Sequence, residues 1–278
     1  MPNPRSPRTT WRGQALLGVA LALAAGLPTA IHAQASTAPA STAPAARAPR
    51  TVLAIGAHAG DMELTAGAVL ALQRERGDRV VLLHLTLGEG GKPALTPAEY
   101  GSQKRREAQA VADSLGAEVR FGPWGDGQIP DDEAARLWVA DAIRQVRPTN
   151  VITHWRASLH KDHATTHRVV SDAVLLASLP GVQTETPAWR GVRSVWYAEN
   201  WEDAEGFSPY VFVNVTSVLD RWRRAVSQYE FARGGTGFAY VEYYDALATV
   251  RGLEARTGRA VAFDVDSWGK RRIVESMP

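Results

Sequence analysis

The 278-residue chain contains no cysteine. That excludes disulfides, cysteine-ligated zinc and a cysteine-linked lipid anchor. It also lacks an apolar run that would span a bilayer comfortably, for which roughly 20 residues are needed. The run from Ala15 to Leu27 is too short for that. The first 50 residues contain no acid, and no repeat of fixed period is visible.

What the N-terminal part does contain follows a known order. Arg5, Arg8 and Arg12 precede the apolar run, and small-residue sites follow it at Ala30 to Ala33 and Ala33 to Ala35. Residues 1–35 therefore read as a cleaved secretory signal, with export to the periplasm or outside the cell and no stable membrane anchor expected. Residues 36–50, "STAPASTAPAARAPR", form an Ala/Ser/Thr/Pro tract that cannot bury enough surface to offset its ordering entropy, and read as a linker. Residues 51–278 are of the right size for one domain with a substantial core. Of the chain's 31 basic residues, five lie in the first 50, which leaves 26 against 29 acidic residues in the domain. A slightly acidic body argues against a nucleic-acid partner.

Within the domain, apolar runs alternate with segments of helical period. "TVLAIGAHA", "RVVLLHLTLG", "AEVRFG" and "NVITHW" read as strands. "MELTAGAVLALQRERG" reads as one helix, with Leu64, Ala68 and Leu72 on a face and Gly77 as its C-cap. "TPAEYGSQKRREAQAVADSLG" is bounded by Pro97 and Gly116, and "DDEAARLWVADAIRQVRP" has acids in its first turn and bases in its last. "KDHATTHRVVSDAVLLASL" is a further helix. Regular alternation of this kind predicts an α/β domain with a mainly parallel sheet. Beyond Pro180 the order loosens: "VRSVWYAENW" and "YVFVNVT" read as strands and "SVLDRWRRAVSQYEFAR" as a helix.

Ligands in open α/β sheets bind outside the carboxyl ends of the strands. His58-Ala59-Gly60-Asp61, the "TLGEGG" segment with Glu89, and the stretch from His154 to His163 all occupy such ends. Hydrolytic zinc is typically held by three N/O side chains with the fourth position open to water. The proposed ligands are His58, Asp61 and His163. His160 and Asp162 form a neighbouring pair, in which a charged His160 would stabilise an oxyanion or protonate a leaving amine. A second arrangement pairs His163 with His167 at i, i+4, but only Ala164, Thr165 and Thr166 lie between them, so His167 reads as a surface or supporting residue. The segment "GEGGKPALT" fails as a phosphate loop, because Thr86 stands where a glycine is needed and Pro93 follows Lys92. Asp126-Gly127 lies in a turn after the third strand and by composition reads as a plain Asp-Gly turn. Trp124 and Trp155 flank the rim at these strand ends, where they would either line a sugar-sized cleft or pack in the core.

The segments "AIGAHAGDMELTAGA", "TLGEGG", "KRREAQAVADSLGA", "WGDG", "THWRASLHKDH" and "RGLEARTGRAVAF" occur in the order seen in the PIG-L/LmbE-like zinc de-N-acetylases, a family this sequence resembles across residues 51 to 265. The resemblance implies an α/β, three-layer Rossmann-like fold and zinc-dependent removal of an acetyl group from an N-acetylated, glucosamine-type sugar or a related amide. It places zinc on His58, Asp61 and His163, gives His160 a part in stabilising the intermediate, and makes Asp162 its orienting acid. It also implies a substrate-binding basic residue at Lys104 or the adjacent Arg105. One position departs from the pattern. The family reads His-Pro/Ala-Asp-Asp, with the first Asp as general base, and Gly60 stands there. Losing a general base typically costs about 10²–10⁴-fold in rate. The departure implies a slower enzyme, a base relocated to Glu89, Asp126 or a neutral His160, or a zinc-containing carbohydrate-binding protein without turnover. Glu63 points elsewhere on the helix and reads as a supporting acid.

Overall fold

A computed structural model describes residues 48–92, 94–203 and 205–271. The expected signal segment, and all but the last three residues of the expected linker, lie outside the described residues. Among the described residues no helix is long and apolar enough to cross a membrane.

The first strand, β1 (Thr51–Gly56), shows how a continuous apolar run builds a three-layer fold. Side chains alternate across a strand. Val52 and Ala54 therefore enter one apolar cluster, and Leu53 and Ile55 the other, on the opposite face. The next strand, β2 (Arg79–His84), divides in the same way, with Val80 and Leu82 on one face and Val81 and Leu83 on the other. With β3 (Glu118–Phe121), β4 (Asn150–His154), β5 (Ser194–Ala198), β6 (Val211–Asn214) and β7 (Ala260–Asp264), they form a seven-stranded sheet in the order β3-β2-β1-β4-β5-β7-β6. The first five are parallel; β7 runs antiparallel to both of its neighbours. One face is covered by α4 (Glu133–Val146) and α5 (Lys161–Ser178). The other is covered by α1 (Asp61–Thr65), α2 (Gly67–Glu75), α3 (Pro97–Leu115), α6 (Leu219–Val226) and α7 (Tyr240–Glu254). This is the expected α/β architecture.

Helix ends marked by strong local chemistry lie where the sequence places them. Thr96 and Glu99 form a reciprocal capping box ahead of Pro97, and Gly116 closes α3 in the left-handed region at φ 72°. Two expected helices are broken by tertiary contacts. The segment after Asp61 divides at Ala66 because Gly67 presses against the Trp222 indole, where a Cβ would stand 2.9 Å from Cδ1. The segment after Thr216 stops at Val226 and resumes as a 3-10 turn, Phe231–Arg233, while Tyr229 between them donates to buried Glu63 at 2.7 Å. Neither α7 nor β7 is marked by a distinct periodicity in the sequence, and β7 owes its place to pairing with β6 over four residues.

Candidate metal centre

In this strand order the chain moves outward from β1 in one direction through β2 and β3, and from β4 in the other through β5. The switch point therefore lies between β1 and β4, where a crevice opens at the carboxyl ends. The turn after β1 carries His58 and Asp61. The loop after β4 carries His160, which caps α5 by accepting from the Asp162 N–H at 3.2 Å, and His163 in the first turn of that helix. Gly60 makes the first turn tight, at φ 114°, and Asp61 folds back so that its Oδ2 accepts from the His58 N–H at 2.7 Å.

Three atoms from these loops converge. His58 Nδ1 lies 3.3 Å from Asp61 Oδ2 and 3.3 Å from His163 Nε2, and the latter two are 3.4 Å apart. A tetrahedral centre with bonds of about 2.0–2.1 Å has ligand atoms about 3.3–3.4 Å apart. The triangle thus has the edge length that such a cation requires, and its donor set of two imidazoles and a carboxylate suits a divalent ion. Both histidines are held from behind. His58 Nε2 faces Asp126 Oδ1 at 3.1 Å and Asp162 Oδ2 at 3.5 Å, while His163 Nδ1 faces Ser158 Oγ at 3.2 Å and Glu202 Oε2 at 3.3 Å. Such oxygens fix the ring and its tautomer. His154 stacks on His163 with ring centroids 4.1 Å apart. Its Nε2 lies 3.0 Å from the Ala57 N–H, which occupies the lone pair a cation would need.

The charges follow from the burial. Desolvation opposes ionisation of Asp61, but His163 and His58 outweigh it and hold the carboxyl well below the usual range. Burial likewise opposes charge on His58, and Asp61, with Asp126 and Asp162 behind it, pushes its pKa up. His154 is driven to about 3 by burial and by His163, so it is neutral. His160 is lowered by burial and then by His58 and His163. The expectation of a charged His160 is therefore corrected. Its Nδ1 accepts the Asp162 N–H, so the neutral ring carries its proton on Nε2. Asp162 does not pair with His160 through its carboxylate; its Oδ2 accepts from the Gly127 N–H at 2.8 Å and faces His58.

Other expected site residues take different places. Asp126 lies at the centre, but its two oxygens are committed to His58 and to the Gly90 N–H at 3.0 Å. Glu89 sits behind it and accepts from the Asp126 N–H at 3.0 Å, which positions that loop and leaves Glu89 out of the cavity. Lys104 is buried, with its ammonium on the Ala59 carbonyl, and burial lowers its pKa to about 8. Arg105 is exposed and stacks over Phe121, 4.1 Å from the ring centroid, outside the cavity. Trp124 is partly buried and packs with Trp138 against the edge of the core, and Trp155 is buried with its N–H on the Glu205 carbonyl at 2.9 Å. Of the two readings of these tryptophans, packing is the one the structure shows. His167 bonds the His154 carbonyl at 3.0 Å and stays away from the triangle. Glu63 is buried, 3.2 Å from His84 Nε2.

Among the residues of the site that escaped the sequence reading are Asn200, Glu202 and Phe231. The first two follow the carboxyl end of β5, so the rule that singled out the ends of β1 and β4 applied to "ENWED" as well. Phe231 carried no such signal. Its ring fills the space that a Gly60 side chain would need: a Cβ there would lie 2.5 Å from Phe231 Cζ. The Lys104 ammonium stands 3.8 Å from the centroid of that ring. Two lobes flank the triangle, of ≈ 140 and ≈ 250 Å³. They share His58, Asp61, His160, Phe231 and Tyr240 in their walls.

Comparison with known proteins places this arrangement among relatives. Residues 53–174 match the model of the PIG-L family, GlcNAc-PI de-N-acetylase. The 4-oxalmesaconate hydratase of Pseudomonas putida is 28% identical over 216 residues, covering 74% of this chain and 81% of that protein. The 1D-myo-inositol 2-acetamido-2-deoxy-alpha-D-glucopyranoside deacetylase of Geodermatophilus obscurus is 31% identical over 178 residues, 53% of this chain and 60% of that enzyme's length. Among solved structures, a 4-carboxy-2-hydroxymuconate hydratase from the same Pseudomonas superposes with TM-score 0.73 at 25% identity, covering 82% of this chain and all of that one. The N,N'-diacetylchitobiose deacetylase of Pyrococcus horikoshii shares the fold, with TM-score 0.69 at 17% identity over 81% of this chain and 87% of its own.

Proposed function

Because the chain belongs to the PIG-L/LmbE-like family, we propose that it is an exported, zinc-dependent amide hydrolase that removes an acetyl group from an N-acetylated, glucosamine-type sugar or cleaves a related amide. The observation that carries this reading is the His58–Asp61–His163 triangle, whose edges match a tetrahedral cation. A divalent cation held there supplies Lewis acidity to a carbonyl oxygen and to an attacking water. His58 and His163 are locked by the acids behind them, so the site is preorganised. His160 lines both lobes and presents its Nε2–H as a neutral donor to charge developing on the carbonyl oxygen. No carboxylate stands at position 60, and Asp126, Asp162 and Glu202 already face the ligand histidines. Turnover therefore rests on the cation and His160, and is slow for a site of this kind. Export rests on the arginines and apolar run of residues 1–35.

A second reading, addition of water to a carbon–carbon double bond, is favoured by the hydratase relative matched over 81% of its length. Against it, a carboxylate-rich substrate of the kind those hydratase names denote calls for cationic side chains. Lys104 is the only Lys or Arg in the lobe walls among the described residues, and its ammonium is held by Ala59. The third possibility, sugar binding without turnover, uses the same triangle. The deciding experiment is acetate release by zinc-loaded protein from a panel of N-acetylated sugars, with water addition to unsaturated carboxylates measured in parallel. Acetate release that disappears in His163→Ala is expected; hydration without acetate release would sink the hydrolase reading, and neither activity would leave the binding protein.

A further inference from the structure

The two lobes differ in kind. None of the residues in the wall of the smaller lobe is exposed, and Leu64, Thr65 and Tyr244 at its base are buried. The larger lobe has exposed Gly91 and Thr236 in its wall and so reaches solvent. Phe231 stands between them, fixed by the Lys104 ammonium beneath its ring and by the edge of Tyr240 at 5.5 Å.

The polar groups at the base of the smaller lobe are already engaged. Thr65 Oγ1 donates to the Asp61 carbonyl at 2.7 Å, and the Tyr244 hydroxyl donates to Asn200 Oδ1 at 2.8 Å. The apolar part of the lobe's wall is Leu64, the Thr65 methyl, and the faces of Trp201, Phe231, Tyr240 and Tyr244, and the polar part is the triangle with His160, Asn200 and Glu202. An amide whose carbonyl sits at the triangle must send its acyl chain one way and its amine the other. A sugar amine needs the wider lobe with the exposed rim, and an apolar chain gains from the apolar wall of the smaller one. The ≈ 140 Å³ of the smaller lobe includes the space at the triangle and is still more than an acetyl group needs.

We propose that the smaller lobe is an acyl pocket, and that the preferred substrates are N-acyl amines whose acyl group is longer than acetyl, about four to six carbons. This rests on the hydrolase reading above and sharpens its substrate class. In the reaction, the water oxygen bonds to the acyl carbon and the C–N bond breaks. The bond pair stays on nitrogen, which takes a proton from the water, and a carboxylic acid and a free amine leave. Each methylene buried in the lobe adds roughly fourfold to kcat/KM.

The test compares N-acetyl-, N-butanoyl-, N-hexanoyl- and N-decanoyl-glucosamine as substrates of the zinc-loaded full chain, reading amine release. Butanoyl and hexanoyl are expected to exceed acetyl by about tenfold or more, with decanoyl falling away. Leu64→Phe, which fills the lobe, is expected to move the optimum back to acetyl. Calorimetric binding of acetate, butanoate and hexanoate to the unaltered protein gives a readout that needs neither turnover nor the variant, and hexanoate is expected to bind most tightly. Fastest cleavage of acetyl, with each longer chain slower, would overturn the acyl pocket and leave hydrolysis standing. No cleavage of any amide, with hexanoate still bound tighter than acetate, would support the pocket and overturn hydrolysis. No cleavage and no chain-length trend in binding would overturn both.

Discussion

The chain up to Ser178 and the chain beyond it build the same site by different means. The first part holds the three candidate ligands on the ends of two parallel strands, buried in the regular β/α alternation, and contains all of the family match. The second part supplies Asn200, Trp201, Glu202, Phe231, Tyr240 and Tyr244, which hold one ligand histidine and form half of the smaller lobe's wall. A cation needs atoms placed to a few tenths of an ångström, which strand ends in a packed sheet provide. A lobe needs only shape and polarity, which irregular segments supply as long as something anchors them. The reaction type and the choice of substrate are thus physically separable in this molecule.

The largest effect should come from breaking the first part. His163→Ala removes one edge-sharing ligand, and zinc affinity measured by competition with a chelator is expected to fall by more than about 100-fold. Parent-like affinity would show the triangle to be the wrong ligand set. Next is the contact between the two parts. Gly60→Asp, the change that would restore a carboxylate, places a Cβ 2.5 Å from Phe231 Cζ at φ 114°. Its expected cost in denaturant unfolding is on the order of 3 kcal/mol. Adding Phe231→Ala should recover the steric share and leave the backbone strain, so the pair is expected to be strongly non-additive. Simple additivity would mean that the ring does not define the space at Gly60.

The smaller expected effect sharpens the second part alone. Asp203 is buried after β5, and burial raises its carboxyl from 3.8 to about 7. Between these values the folded chain binds more protons than the unfolded one. Stability contributed by the protonated carboxyl is therefore present at low pH and is lost as pH rises from about 4 to about 7, by on the order of 3 kcal/mol. Asp203→Asn should flatten that slope in unfolding curves taken from pH 5 to pH 8. An unchanged slope would show that Asp203 titrates as an ordinary surface acid.

The same contrast explains what was legible before the structure. β1, β2 and β4 could be read because strands buried on both faces are continuous apolar runs, and α3 because its Thr96–Glu99 box and Gly116 are local chemistry. His58, Asp61 and His163 could be read because strand ends at a switch point are where ligands gather. Lys104 and Arg105 were placed by register alone, and register does not say which side of α3 faces the site. Trp124 and Trp155 illustrate the same limit, since an indole near a rim and an indole in the core look alike in sequence. A charged His160 follows in sequence from its neighbour Asp162, but the contact is with the backbone N–H, and burial, then the nearby histidines, lowers its pKa.

By itself the sequence determined the parallel α/β frame, the two loops that hold the candidate ligands and the missing carboxylate at Gly60, because each is encoded within a few consecutive residues by periodicity, caps or spacing. Only the tertiary structure decided that Phe231 fills the vacated space, that His160 is neutral and that a lobe with an aromatic and leucine wall lies beside the triangle. Those properties belong to atoms more than 100 residues apart in the chain, and burial, charge and volume arise only when folding brings them together.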